Sequence, residues 1–383
     1  MRMAWRRIRS RIRYSSRGLT RIAWGIHHGL AAAAGVWLAA APVPAEGEQF
    51  RSRPTVRIVA TGGTIANHPA GRLTARELAA LIPAAERHAA IETEQFANLP
   101  SSSLTVGHWL DLARRLNRLF ATRNDLTGMV VTSGTDTLEE TAYFLHLTVR
   151  TDRPLVVVGA MRAPATPGYD GAANLLDGIR VAAAPASRGR GVVVVINGEI
   201  HAARDVRKAD AQRMDSFESG RRGLLGVVDA DRIEFFRRPV RRHTRRTEFD
   251  VSRIDRLPRV ALLTSYVGAS GDLVRAARDL GAQGIVIAGA GAGATTPAQA
   301  DAIDEVIADN VAVVITTRTG GGRVPARIRR PGAARGGPAA PSAGSYHRVS
   351  GEDLSPLKAR VLLMLALTRT RDGAEIQRIF TVY

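Results

Sequence analysis

From residue 54 onward the chain alternates short β-branched runs with helical stretches, and few folds accommodate that rhythm. Val56–Ala60, Met129–Thr132, Leu155–Val158 and Val192–Ile196 read as strands. Ala75–Arg87, His108–Phe120, Leu138–Thr148 and Asn174–Ala183 read as helices between and after them. Thr74, with Glu77 three residues later, has the pattern of a capping box. Leu110, Leu112, Leu116 and Phe120 fall roughly on one helical face. Such alternation predicts a parallel α/β sheet with helices on both faces. A second unit begins near Leu257. Val260–Thr264, Gly284–Ala288 and Val311–Thr316 read as its strands, and Gly271–Leu280, Pro297–Asn310 and a closing Leu354–Leu367 as its helices.

The chain has 383 residues, enough for two domains with real cores. It has no cysteine, which excludes a disulfide framework, a thiolate metal site and a cysteine nucleophile. Basic residues number 54 against 35 acidic, a net +19, yet only Lys208 and Lys358 are lysines. Residues 1–22 carry eight arginines and no acid, and the apolar Leu30–Ala41 and small residues up to Ala45 follow. That order is the pattern of a secretory signal, residues 1–45, cut after Ala45 and directing the chain to a periplasm without stable membrane insertion. The remainder carries +11. Arginines cluster at 237–246 and 323–335, without recognition motif or aromatic interleaving. We read them as solvated faces, with no nucleic-acid partner. Arg237–Asp250 reads as a solvated connector and residues 320–345 as low complexity. No His/Asp/Glu cluster has metal-ligand spacing, so neither metal nor cofactor is expected. His146 reads as packing and His201 as a loop residue.

Ligands of open α/β sheets bind at the carboxyl ends of strands. Two such ends here run into hydroxyl- and glycine-rich turns. In Ala60-Thr61-Gly62-Gly63-Thr64 the glycines permit a sharp turn and close approach, presenting the Thr64 hydroxyl. In Thr132-Ser133-Gly134-Thr135-Asp136-Thr137 a strand delivers Thr135 and Asp136 to a helix N-terminus. Either alone could be a plain turn or cap. Together they are far more specific.

With these two turns the chain resembles the bacterial-type L-asparaginase/glutaminase family, especially its periplasmic type II branch. The resemblance covers nearly all of residues 54–383. Glu139–Val149, Val158-Gly159-Ala160-Met161-Arg162, Phe249-Asp250-Val251, Ala288–Ala294 and Lys358–Thr368 support it. The expected fold is α/β in two domains: a larger N-terminal parallel-sheet domain of flavodoxin-like type at 54–240, and a smaller Rossmann-like one at 258–383, with 241–257 as linker. The resemblance implies a homotetramer with active sites shared between subunits. It implies hydrolysis of L-asparagine, and of L-glutamine as a second candidate, to the acid and ammonia through a threonine acyl-enzyme. Thr64 would be the nucleophile, Thr135 the second threonine, and Asp136 the group that binds the substrate amine. Ser101 and Ser102 would hold the substrate, and Gly63 and Ala160 would line its site.

Several positions depart from that pattern. Aligned on Asp170-Gly171 and Asn174, the family's proton-relay lysine and the aspartate before it fall at Pro185 and Ala184, and neither Lys208 nor Lys358 matches the lysine position. Arginine cannot replace it as a base. The lid after Thr64, Asn67–Arg76, has no tyrosine, and Tyr169 is the nearby candidate. Gly268 or Ala269 stands where the family supplies an asparagine or acid, the Val324–Arg330 loop has no acid, and Ser133 replaces a histidine. Two readings follow: an amidohydrolase in which Thr64 attacks with help from water or Tyr169, or a chain that binds small amino acids without turnover.

Overall fold

The computed structural model describes residues 53–326 and 348–383. The expected signal segment and most of the low-complexity stretch lie outside the described residues. In chain order, the strands up to the first long helix are β1 (Thr55–Gly62), β2 (Asn67–His68), β3 (Gly71–Arg72) and β4 (Ala90–Leu99). Then come β5 (Leu126–Thr132), β6 (Leu155–Val158), β7 (Val192–Ile196), β8 (Glu199–Ala202), β9 (Arg207–Lys208), β10 (Phe217–Glu218), β11 (Gly226–Val228) and β12 (Ile233–Phe235). The helices among them are α1 (Ala75–Ala80), α2 (Val106–Thr122), α3 (Leu138–Thr148) and α4 (Gly171–Ala183). The remainder holds β13 (Val260–Thr264), β14 (Gly284–Gly289), β15 (Ala312–Thr317) and β16 (Arg348–Ser350), with α5 (Asp272–Asp279), α6 (Pro297–Ala308), α7 (Pro356–Ala366) and α8 (Gly373–Val382).

The large sheet has the order β12-β11-β8-β7-β6-β5-β1-β4. Strands β4, β1, β5, β6 and β7 are parallel, and β8, β11 and β12 continue it in antiparallel pairs. The two-residue period of the strands divides the core. Val59, Val131, Val157 and Val194 face α2 and α3, while Ile58, Val130, Val156 and Val193 face the other side with Leu175 and Ile179 of α4. The small sheet, β13-β14-β15-β16, is parallel throughout. Its core is continuous with the α2–α3 side of the large sheet, because α7 packs against α3 as well as against β13, β14 and β15. The expected α/β class with a large and a small sheet is therefore observed.

Some expectations need correction. The first helix stops at Ala80, because Pro83 opens a separate turn of 3₁₀ helix, Pro83–Arg87. Leu354–Leu367 does not close the chain; α8 follows, capped by Asp372. Arg237–Asp250 is not simply solvated: His243, Thr244, Thr247 and Phe249 are buried, and Arg237 donates to Gly223 and Leu224 carbonyls and pairs with Asp205 at 3.1 Å. His201 is a fully buried residue of β8, not a loop residue. His146 is buried and accepts from the Val192 N–H at 3.2 Å, as a packing role requires.

Candidate active site

The carboxyl ends of the adjacent strands β1 and β5 converge. Thr61 Oγ1 donates to the Thr132 carbonyl at 2.7 Å, stitching the two ends together. Beyond Thr61 the backbone takes φ 102° at Gly62 and φ 88° at Gly63, values L-residues with side chains rarely adopt. A Cβ at Gly63 would overlap the Gly134 backbone, so the two turns touch. Thr64 then begins a single 3₁₀ turn, Thr64–Ala66, and is partly exposed. Thr135 is buried and Asp136 exposed, just before α3.

The lysine judged missing is present in space. Lys208 Nζ lies 3.0 Å from Thr135 Oγ1 and 2.8 Å from Asp136 Oδ1. Pro185, where the alignment put that position, begins a separate 3₁₀ turn instead. Lys208 arrives on β9, which pairs with β10 outside the main sheet. Its backbone N–H donates to the buried Glu139 carboxylate at 2.8 Å, which fixes the strap against the first turn of α3. The alignment failed because it required the lysine to follow Asp170-Gly171 along one helix, whereas the antiparallel extension after β7 brings it back from outside. One signal could have found it: a chain with two lysines offers only two side-chain amines for a threonine–aspartate pair. A lysine in this position can orient the Thr135 hydroxyl and, when deprotonated, accept a proton through it.

The other expected residues divide. Ser101 is buried, in the 3₁₀ turn Ser101–Ser103 that follows β4, and its hydroxyl would block any Cβ on Gly134. Ser102 is exposed. Ala160 is fully buried after β6, and a Cβ on its neighbour Gly159 would crowd Thr135 at 3.1 Å from its methyl. Gly63, Ser101, Gly134 and Thr135 thus form one packed cluster. Asp170 lies behind it, accepting from the Met161 and Arg162 N–H groups at 2.9 Å each and from Asn174 at 3.0 Å.

Tyr169 donates its hydroxyl to the Ile65 carbonyl at 2.9 Å, and burial pushes its pKa upward. It braces the turn that carries Thr64; a phenol so held is not a base for the Thr64 hydroxyl. The lid is a tight hairpin, β2–β3, whose Arg72 donates to the Gly63 carbonyl at 3.2 Å. Gly268 sits at φ 76° in the turn after β13, with Ala269 buried beside it. Among the described residues, no group of three or more His, Cys, Asp or Glu could hold a metal ion.

The chain is similar to known proteins along most of its length. The profile "Asparaginase, N-terminal" matches residues 55–241, and "Glutaminase/Asparaginase C-terminal domain" matches 259–380. "L-asparaginase 2" of Bacillus subtilis (strain 168) is 38% identical over 351 residues, 88% of this chain and 89% of that protein. "Probable L-asparaginase periplasmic" of Haemophilus influenzae is 37% identical over 338 residues, 85% and 92% of the two chains. The crystal structure of "Probable Cytoplasmic L-asparaginase" from Campylobacter jejuni superposes with a TM-score of 0.78 at 37% identity, covering 86% of this chain and 100% of that one.

Proposed function

We propose that this chain, which belongs to the asparaginase family, hydrolyses the side-chain amide of L-asparagine to L-aspartate and ammonia, with L-glutamine as its second candidate substrate. The observation that carries the reading is the Lys208 amine within hydrogen-bonding distance of both Thr135 and Asp136, beside the turn that presents Thr64. A threonine hydroxyl is a weak nucleophile until a base takes its proton. In the first half-reaction Thr64 Oγ1 bonds to the amide carbon, and its proton moves toward the Lys208 amine through Thr135. The C–N bond then breaks, ammonia leaves with that proton, and an aspartyl ester remains on Thr64. In the second, water attacks the ester, giving its proton back through the same groups, and Thr64 is released. Asp136, exposed beside the site, binds the substrate amine, while Ser101 and Ser102 hold its carboxylate and amine. The alternative of an amino-acid-binding chain without turnover rested on a missing relay lysine together with a missing lid tyrosine; Lys208 beside Thr135 speaks against the first of these, and the lid still has no tyrosine.

The same reading extends to assembly and address. Residues 54–240 and 258–383 are its two domains, joined by 241–257 and packed on one continuous core. Export through cleavage after Ala45 to a periplasm is supported by the order of residues 1–45 and by the Haemophilus relative's name. A homotetramer with shared sites is what the family resemblance implies, and Tyr266 and Val267, exposed after β13, offer apolar surface for such an assembly to cover. Light scattering of the purified protein tests the assembly, and N-terminal sequencing of the exported form, expected to begin at Glu46, tests the cleavage.

The activity test is ammonia release from L-asparagine and L-glutamine in a coupled assay. We expect turnover on asparagine that Thr64→Ala removes. Equal rates for the two proteins would sink the reading.

A further inference from the structure

The second lysine of the chain occupies an unfavourable place. Lys358 lies in the first turn of α7, which Ser355 caps by accepting from the Lys358 N–H at 3.3 Å. A cation there meets the positive end of the helix. At 2% exposure it has also lost its water, a cost that only good partners offset. Those partners are specific. The ammonium donates to the Arg204 carbonyl at 3.0 Å and to the Val206 carbonyl. Both carbonyls belong to the strap between β8 and β9, and two residues past Val206 that strap carries Lys208. Neighbouring groups grip the same segment. The Arg204 guanidinium bonds Asp353 at 2.9 and 3.2 Å and donates to the Tyr383 carbonyl, while Glu139 holds the Lys208 N–H. The strap therefore has one end in the active site and its root held by residues from beyond the small sheet.

We propose that Lys358 is a positioning residue for Lys208: by fixing the Arg204 and Val206 carbonyls, it sets the reach of the Lys208 amine to Thr135 and Asp136. This rests on the reading of Lys208 as the proton relay. A displacement of about 1 Å in such a group is enough to cost a large part of the rate. Burial pushes the Lys358 pKa down to about 8, against the opposing pull of the Glu139 and Asp205 carboxylates.

The scarcity of lysine makes the test direct. Protein labelled with ¹³C at lysine Cε gives two side-chain signals, and Lys208→Met assigns them. Lys358→Met keeps the length of the side chain and removes its donors. In that variant we expect kcat to fall by about tenfold to a hundredfold, with KM within about threefold, and the Lys208 signal to move. In the Lys208→Met background the same change should lower kcat no further. A merely structural role would reduce the melting temperature while leaving the Lys208 signal and kcat as they were, and that result overturns the proposal. If the wild-type protein releases no ammonia, the proposed function fails, and the Lys208 signal alone decides: unmoved, it overturns the positioning role; moved, it sustains it. Should Lys358→Met not fold, Lys358→Gln is read by the same two measurements.

Discussion

At the carboxyl end of the large sheet, β1 and β5 run into turns that touch at Gly63 and Gly134, next to Thr64 and Thr135, and a strap from β9 lays Lys208 against Thr135 and Asp136. At the carboxyl end of the small sheet, β13 and β14 also run into glycine-containing turns. There the residues are Ser265–Ser270, whose only ionisable side chain is Tyr266, and Ala290–Thr296, which has none. The strands that run into these turns are parallel in both sheets, and the Ala290 N–H closes on the Ala294 carbonyl at 2.8 Å. The difference lies in what crosses the edge. The large sheet continues past β7 into antiparallel strands whose return carries an amine back over the parallel edge, and among the described residues the small sheet ends at β16 without such an extension.

The largest expected effect tests that difference directly. Lys208→Met should lower kcat on L-asparagine by about 10²–10⁴-fold, the usual range for losing a general base. Thr295→Ala, at the small sheet's turn, should leave kcat within about twofold. Similar losses from both would erase the distinction. Next come the turns themselves. Gly63→Ala forces a Cβ into the Gly134 backbone at φ 88° and should cost about 2 kcal/mol or more in denaturant unfolding, with activity lost as well. Gly291→Ala has φ 50° and nothing within 4 Å, so about 1 kcal/mol is expected. A costlier Gly291→Ala would mean that the small sheet's turn is the more tightly built.

The smallest expected effect concerns the cores. His146 and His243 are buried with ring centroids 5.2 Å apart, and burial lowers the pKa of each, His146 most strongly. Among the described residues, no strand or helix around the small sheet carries a histidine. Below the ordinary histidine pKa of about 6.5 the unfolded chain takes up protons that these two imidazoles refuse. Their contribution to stability is therefore complete above that pH and lost as pH falls toward the folded pKa values. Hydrogen exchange at pH 5 should show α3 and β7 opening before β14 and β15. Simultaneous opening would contradict this.

Much of the fold was legible because hydrophobic period reports burial locally. The valine runs of β5, β6 and β7 are each buried on both faces, as continuous apolar strands should be. The paired turns at Thr64 and Thr135 were legible too, since glycine beside a hydroxyl at a strand end has few other uses. Lys208 was not. Its strap is polar, two residues of strand long, and acquires meaning only where it meets α3. The shortened α1 and the added α8 were missed for smaller reasons, a proline read through and a C-terminal helix left unread. The arginines of 237–246 looked solvated because sequence shows charge and not partners. Arg237, Arg241 and Arg245 are spent on Asp205, the Thr381 carbonyl and Asp152.

A protein with two lysines, one sealed in the core and one at the proposed reaction centre, has an unusual chemical surface. Its Lys208 side chain is 17% exposed and Lys358 nearly inaccessible. Acylating reagents aimed at amines should therefore find, apart from the α-amino group, a single reachable target. Conjugation of polymer or dye by that route would silence the molecules it decorates. The same reagent, counted by mass spectrometry, becomes a titrant of intact sites, and saturating substrate should slow its uptake.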